Sequence, residues 1–120
     1  MTRRILAAVD DMFFASKIRA TAEHLGIEIG FVRSAEAALE SARRERPALI
    51  IVDLHSRAVD PFALAESLKT DERLRDVSLL GFFSHVQTEL QRRAEEAGYD
   101  RVLPRSAFTN RLAEILSSEK

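Results

Sequence analysis

The sequence predicts an α/β domain, a doubly wound parallel sheet of five strands with helices on both faces. Two observations carry that prediction. Apolar runs alternate with amphipathic stretches five times along 120 residues, and strict β-α alternation packs best as a parallel sheet layered between helices. The run Ala48-Leu49-Ile50-Ile51-Val52 is apolar without a break, as suits a strand covered on both sides.

Ile5 to Val9 reads as the first strand. Phe14, Ile18, Ala22 and Leu25 then recur at helical spacing, and Gly26 ends the helix. In the second strand Ile27, Ile29 and Phe31 alternate with Glu28 and Gly30, which leaves one side more polar. Ser34 caps a helix whose stripe is Ala35, Ala38, Leu39 and Ala42, and Pro47 halts it. After the third strand, Asp60-Pro61 supplies a cap and a proline at the first helical position, with Phe62, Ala65 and Leu68 facing inward. Val77 to Phe83 is the fourth strand, followed by a helix marked by Leu90, Ala94 and Ala97 and closed by Gly98. Val102-Leu103 is a short fifth strand, and Phe108, Leu112, Ile115 and Leu116 form the inner face of one last helix.

The half-polar second strand and the short fifth strand suit edge positions. Setting them there gives the flavodoxin-like order 2-1-3-4-5, with a crevice where strands one and three diverge. Right-handed crossovers leave few other topologies.

Composition narrows the function. With 18 basic and 19 acidic residues the formal charge is −1, which argues against direct nucleic-acid binding through bulk positive charge. Cysteine is absent, excluding disulfide scaffolds and thiolate chemistry. No apolar run approaches the roughly 20 residues of a membrane span. Met1-Thr2-Arg3-Arg4, a short apolar stretch to Val9 and then two aspartates make no signal peptide. The expectation is one cytoplasmic domain over residues 1–120, with no linker, repeat or membrane contact.

In such sheets the chemistry lies beyond the carboxyl ends of the strands. Strand one ends in Asp10-Asp11, strand three in Asp53 and strand four in Ser84-His85, while strand five leads to Arg105. Neighbouring strands are about 4.8 Å apart, so the three aspartates can converge. Clustered carboxylates repel unless a cation neutralises them, and Mg²⁺ is the hard ion suited to such oxygens. Asp53 would then be a nucleophile toward a phosphoryl group, with Arg105 supplying positive charge and the Ser84 hydroxyl bonding a phosphoryl oxygen.

These residues resemble the receiver domain of two-component response regulators over essentially the whole chain. The match rests on Asp10-Asp11, on Asp53 within Ile-Ile-Val-Asp-Leu, on Ser84, and on Ala97-Gly98-Tyr99-Asp100. The resemblance implies a divergent single-domain member: Asp53 as phosphoacceptor, Asp10 and Asp11 as Mg²⁺ ligands with Asp53 and the His55 backbone carbonyl, and Ser84 as a switch hydroxyl. Implied partners are a histidine kinase or phosphotransfer protein and a downstream protein target, reached through the fourth helix, fifth strand and fifth helix. The chain would be a monomer or weak homodimer and not an enzyme.

The sequence departs from the family where an invariant Lys-Pro pair is replaced by Arg105-Ser106, with proline displaced to Pro104. Arginine keeps the charge but not the compact ammonium. Val102 stands at the aromatic switch position, and His85 where a small residue is common. These departures favour, as the alternative, a pseudo-receiver that binds partners without phosphorylation.

Plainer roles compete at each position. Asp10 or Asp11 can cap the first helix, and Ser84-His85-Val86-Gln87 fits a capping box for the fourth. Arg105 can simply neutralise nearby acids. His55 and His85 with Asp53 could hold a transition metal, but His24 lies on the first helix and offers no third imidazole. Asp53 has the poorest structural excuse, because an unpaired buried carboxylate is costly. A dehalogenase-type phosphatase would want Asp-x-Asp after strand one, and flavin binding a Ser/Thr/Gly-rich loop there; Asp10-Asp11-Met12-Phe13-Phe14 is neither.

Overall fold

The structure is a computed structural model that describes residues 3–84 and 88–117. Five strands, β1 (Arg4–Ala8), β2 (Glu28–Phe31), β3 (Leu49–Asp53), β4 (Ser78–Phe83) and β5 (Arg101–Pro104), form one sheet. All pair in parallel, in the order β2-β1-β3-β4-β5. This is the flavodoxin-like order read from the edges. Every residue of β2 keeps some exposure, whereas all of β3 is buried.

Six helical segments connect and close the sheet: α1 (Met12–His24), α2 (Ala35–Arg44), α3 (Pro61–Thr70), α4 (Thr88–Ala97), α5 (Arg105–Asn110) and α6 (Leu112–Ser117). Alternation along each strand sends its side chains to opposite faces. Ile5, Ala7, Leu49, Ile51, Leu80 and Phe82 pack with α1, α5 and α6 residues on one face. Leu6, Ala8, Ile50, Val52, Leu79 and Phe83 pack with α2, α3 and α4 residues on the other. Each core buries a full set of apolar side chains, at roughly 1.5–3 kcal/mol for a large one.

The expected caps are present. Ser34 Oγ accepts from the Ala37 N–H, and Asp60 Oδ1 from Phe62 and Ala63 ahead of Pro61. Gly26 ends α1 with φ of 70°, and Gly98 follows α4 with φ of 114°, conformations that side chains with a Cβ adopt only at a cost.

The last helix differs from expectation. Its apolar stripe is unbroken, yet the backbone divides into α5 and α6 at Arg111 (φ −112°, ψ 17°). The Thr109 hydroxyl donates to the Arg105 carbonyl at 2.8 Å, a back-bond of the kind that loosens and bends helices.

Tyr99 ties the far edge to the centre. Its ring is buried, and its hydroxyl donates to the Pro61 carbonyl at 2.8 Å. Burial, with the Asp60 charge nearby, pushes the phenol well above its ordinary range, so the hydroxyl stays a donor. Asp100 then brackets β4: its N–H donates to the Leu79 carbonyl and its carboxylate accepts from the Leu79 N–H, both at 2.8 Å.

Candidate functional site

Register brings the acidic residues to one end of the sheet. Ala8 pairs with Val52 and Asp53 with Phe82, so Asp10, Asp11 and Asp53 all emerge at the carboxyl ends of β1 and β3. The three do not share one point of focus, because each carboxylate answers to different donors.

Asp11 caps α1. Its Oδ1 accepts from the Phe13 and Phe14 N–H groups at 2.9 and 3.1 Å, and its Oδ2 receives the Arg105 guanidinium at 3.1 Å. The Phe14 N–H and Arg105 hold its pKa below the usual carboxylate value. The capping role weighed for the aspartate pair thus falls to Asp11.

Asp10 turns toward the segment after β3. Oδ1 accepts from the Ser56 hydroxyl at 2.8 Å, and Oδ2 from the Arg57 and Ala58 N–H groups at 2.7 and 3.3 Å. Partial burial pushes its pKa up, but the Arg57, Ser56 and Ala58 donors with the Arg33 charge outweigh it, and the net direction is down.

Asp53 behaves oppositely. At 9 % exposure it is, among the described residues, the buried charged side chain. Its Oδ1 accepts from the His55 N–H at 2.8 Å. Burial dominates and pushes its pKa above the ordinary value, and the negative charge of Asp10 adds to the rise. The His55 N–H and the charges of His55 and Arg105 oppose it. His55 is exposed, and its amide is a donor to Asp53.

Arg105 reaches the mouth of the crevice. Its guanidinium carbon lies 4.1 Å from the centre of the Phe14 ring, and the ion pair to Asp11 fixes its other side. A planar cation stacked and paired in this way is held far more firmly than a lysine ammonium would be. Ser84 is exposed just beyond β4. His85 and the rest of the proposed Ser84–Gln87 capping box lie outside the described residues.

Sequence reasoning missed two partners. Ser56 is the hydroxyl that holds Asp10, and its only clue was a Ser three positions past Asp53. Phe14 reads as core, and it is, but it also serves as the platform for Arg105.

The donor chemistry of this end of the sheet suits Mg²⁺, a hard ion that prefers carboxylate and carbonyl oxygens. The arrangement does not. A carboxylate offers about four acceptor sites, and donors already occupy three on Asp10 and three on Asp11. Among the described residues no group of three acidic or imidazole side chains is placed to hold a metal ion. As arranged, Asp10 and Asp11 keep few oxygens free for a metal ion and do not fit one without shedding donors.

No protein-family model matches the chain. The polar-differentiation response regulator DivK of Brucella ovis is 25% identical over 118 residues, covering 98% of this chain and 96% of DivK. Solved structures show the same fold. A response regulator from Hahella chejuensis superposes with a TM-score of 0.87 at 19% identity, covering 98% of this chain and 95% of its own. The chemotaxis response regulator CheY4 of Vibrio cholerae gives 0.85 at 17% identity, with both chains covered in full. The receiver domain of the sensor histidine kinase PA1611 of Pseudomonas aeruginosa, described with magnesium in its active-site cleft, gives 0.79 at 20% identity, covering 98% and 100%. The structural neighbours are response regulator receiver domains, and the chain has their fold. Among the described residues, no helix is long and apolar enough to cross a membrane.

Proposed function

We propose that this chain is a receiver-type signalling domain in which Asp53 accepts a phosphoryl group from a histidine kinase or phosphotransfer protein. One observation carries the reading. Asp53 is a buried carboxylate at the end of the central strand, and among the described residues no ion pair reaches it. Burial of that kind is costly, and a carboxylate kept there despite the cost marks a candidate functional centre.

In the transfer, an Asp53 oxygen forms the new bond to phosphorus as the donor's bond to phosphorus breaks, giving an acyl phosphate. Arg105 contributes positive charge at the same mouth, close enough to favour the ionised form of Asp53. The Ser84 hydroxyl, beyond neighbouring β4, is the candidate contact for a phosphoryl oxygen. The magnesium described for the Pseudomonas receiver would belong here only after Asp10 released its loop. Output through protein contacts is supported by Met12 and Phe13, which stand 68% and 92% exposed directly after Asp11. Apolar side chains that open to water beside a site suit a partner surface.

A second reading has its own support. The carboxylates of Asp10 and Asp11 are engaged internally, and Arg105 is pinned between Asp11 and Phe14. A pocket so satisfied suits a domain that binds partners in one conformation, unphosphorylated. Intact mass measured after incubation with a small phosphodonor, with and without Mg²⁺, separates the two. The first predicts one phosphoryl adduct that Asp53→Asn abolishes; absence of any adduct in the native chain under both conditions overturns it and selects the second.

A further inference from the structure

We propose that Asp10 is the clamp of the loop between β3 and α3, and that it completes the acidic pocket without a divalent ion. The clamp holds whether or not Asp53 takes up a phosphoryl group.

The clamp organises four consecutive residues. Asp10 takes the Ser56 hydroxyl on Oδ1 and the Arg57 and Ala58 N–H groups on Oδ2. Ser56 passes the contact onward, since its oxygen accepts from the Val59 N–H at 3.0 Å. Val59 is fully buried in the α2-α3-α4 core. The next residue, Asp60, caps α3. One carboxylate at the end of β1 therefore fixes the whole path from β3 to the first turn of α3.

Ion and loop compete for the same oxygens. The N–H dipoles of Arg57 and Ala58 point their positive ends at Oδ2. A divalent cation on that oxygen would face those dipoles head on and would have to displace them. Mg²⁺ also demands near-octahedral oxygens and gives up its water reluctantly. Asp11 cannot compensate, because turning toward an ion would uncap α1 and free Arg105. In this chain the first acidic position thus works as an internal anchor, and a metal would loosen the loop it holds.

Two measurements on the full-length chain test this. Titrating isotope-labelled protein with MgCl₂ to about 10 mM, above the dissociation constants of weak physiological divalent sites, is expected to give no saturable shift in the Asp10, Asp11, Asp53 or His55 amides. In Asp10→Ala, exchange of the Arg57 and Ala58 amides is expected to quicken about tenfold or more while β3 keeps its protection. Should Asp10→Ala fail to fold, Ser56→Ala is expected to quicken exchange at Val59 instead. A saturable Mg²⁺ response in the native chain, or loop exchange unchanged in the variants, overturns the clamp. Neither measurement uses a phosphodonor, so its failure and the failure of phosphoryl transfer are told apart.

Discussion

Arg105 joins the two ends of the chain at the crevice: it stands 94 positions after Asp11 and pairs with it at 3.1 Å, while its guanidinium carbon lies 4.1 Å from the centre of the Phe14 ring. The contact couples the start of α5 to the start of α1 through one side chain.

Replacing that side chain separates its two roles. Arg105→Lys keeps the charge and loses the planar stack, so the melting midpoint falls while the Asp53 pKa stays near its native value. Arg105→Ala loses both, and Asp53, deprived of a nearby positive charge, shifts further upward. Carbon-detected NMR titration of the Asp53 carboxyl in both variants reads the difference. An Asp53 pKa that is identical in Arg105→Ala and the native chain contradicts the coupling.

Stability should depend on pH with opposite signs at neighbouring acids. Asp53 has a folded-state pKa raised by burial, so its favourable contribution exists below the unfolded value, about 3.9, and is lost as pH rises through the folded value. Asp53→Asn, which keeps an acceptor for the His55 N–H, is therefore expected to melt higher than the native chain at pH 7. The gain should vanish in acid. Asp10 is lowered, so its contribution is present above the unfolded value and lost as pH falls through the folded one. Asp10→Asn should melt lower at pH 7 and converge with the native chain in acid. Melting curves from pH 3 to 8 (a range set by about 3.9 for a free Asp) check both signs.

The buried Tyr99 hydroxyl offers a stability test away from the crevice. Tyr99→Phe removes the donor to the Pro61 carbonyl at little cost in volume. The Pro61 carbonyl keeps its helical partner in the first turn of α3, so the change forfeits one hydrogen bond, worth about 0.5–1.5 kcal/mol. Urea unfolding should show that loss with an unchanged slope against denaturant.

The fold was legible because its strands differ in kind. Glu28 and Gly30 mark β2 as an edge and the uninterrupted Leu49–Val52 run marks β3 as central, and these contrasts fix the order of the sheet. The division at Arg111 was not legible. No glycine or proline signals it, and Phe108, Leu112, Ile115 and Leu116 keep helical spacing across the break. At the crevice, the aspartates and Arg105 could be placed at strand ends from spacing alone. The partners that capture Asp10 could not, since two are backbone N–H groups, which nearly every residue carries.

The outer border of the sheet at β5 has a consequence of its own. The strand is four residues long, begins with Arg101 and ends with Pro104, which carries no amide hydrogen. An incoming polypeptide would find there too few donors and acceptors to extend the ladder. Recruitment of another molecule beside β5 must then be won by side chains, and fibril-like growth from that margin is discouraged by construction.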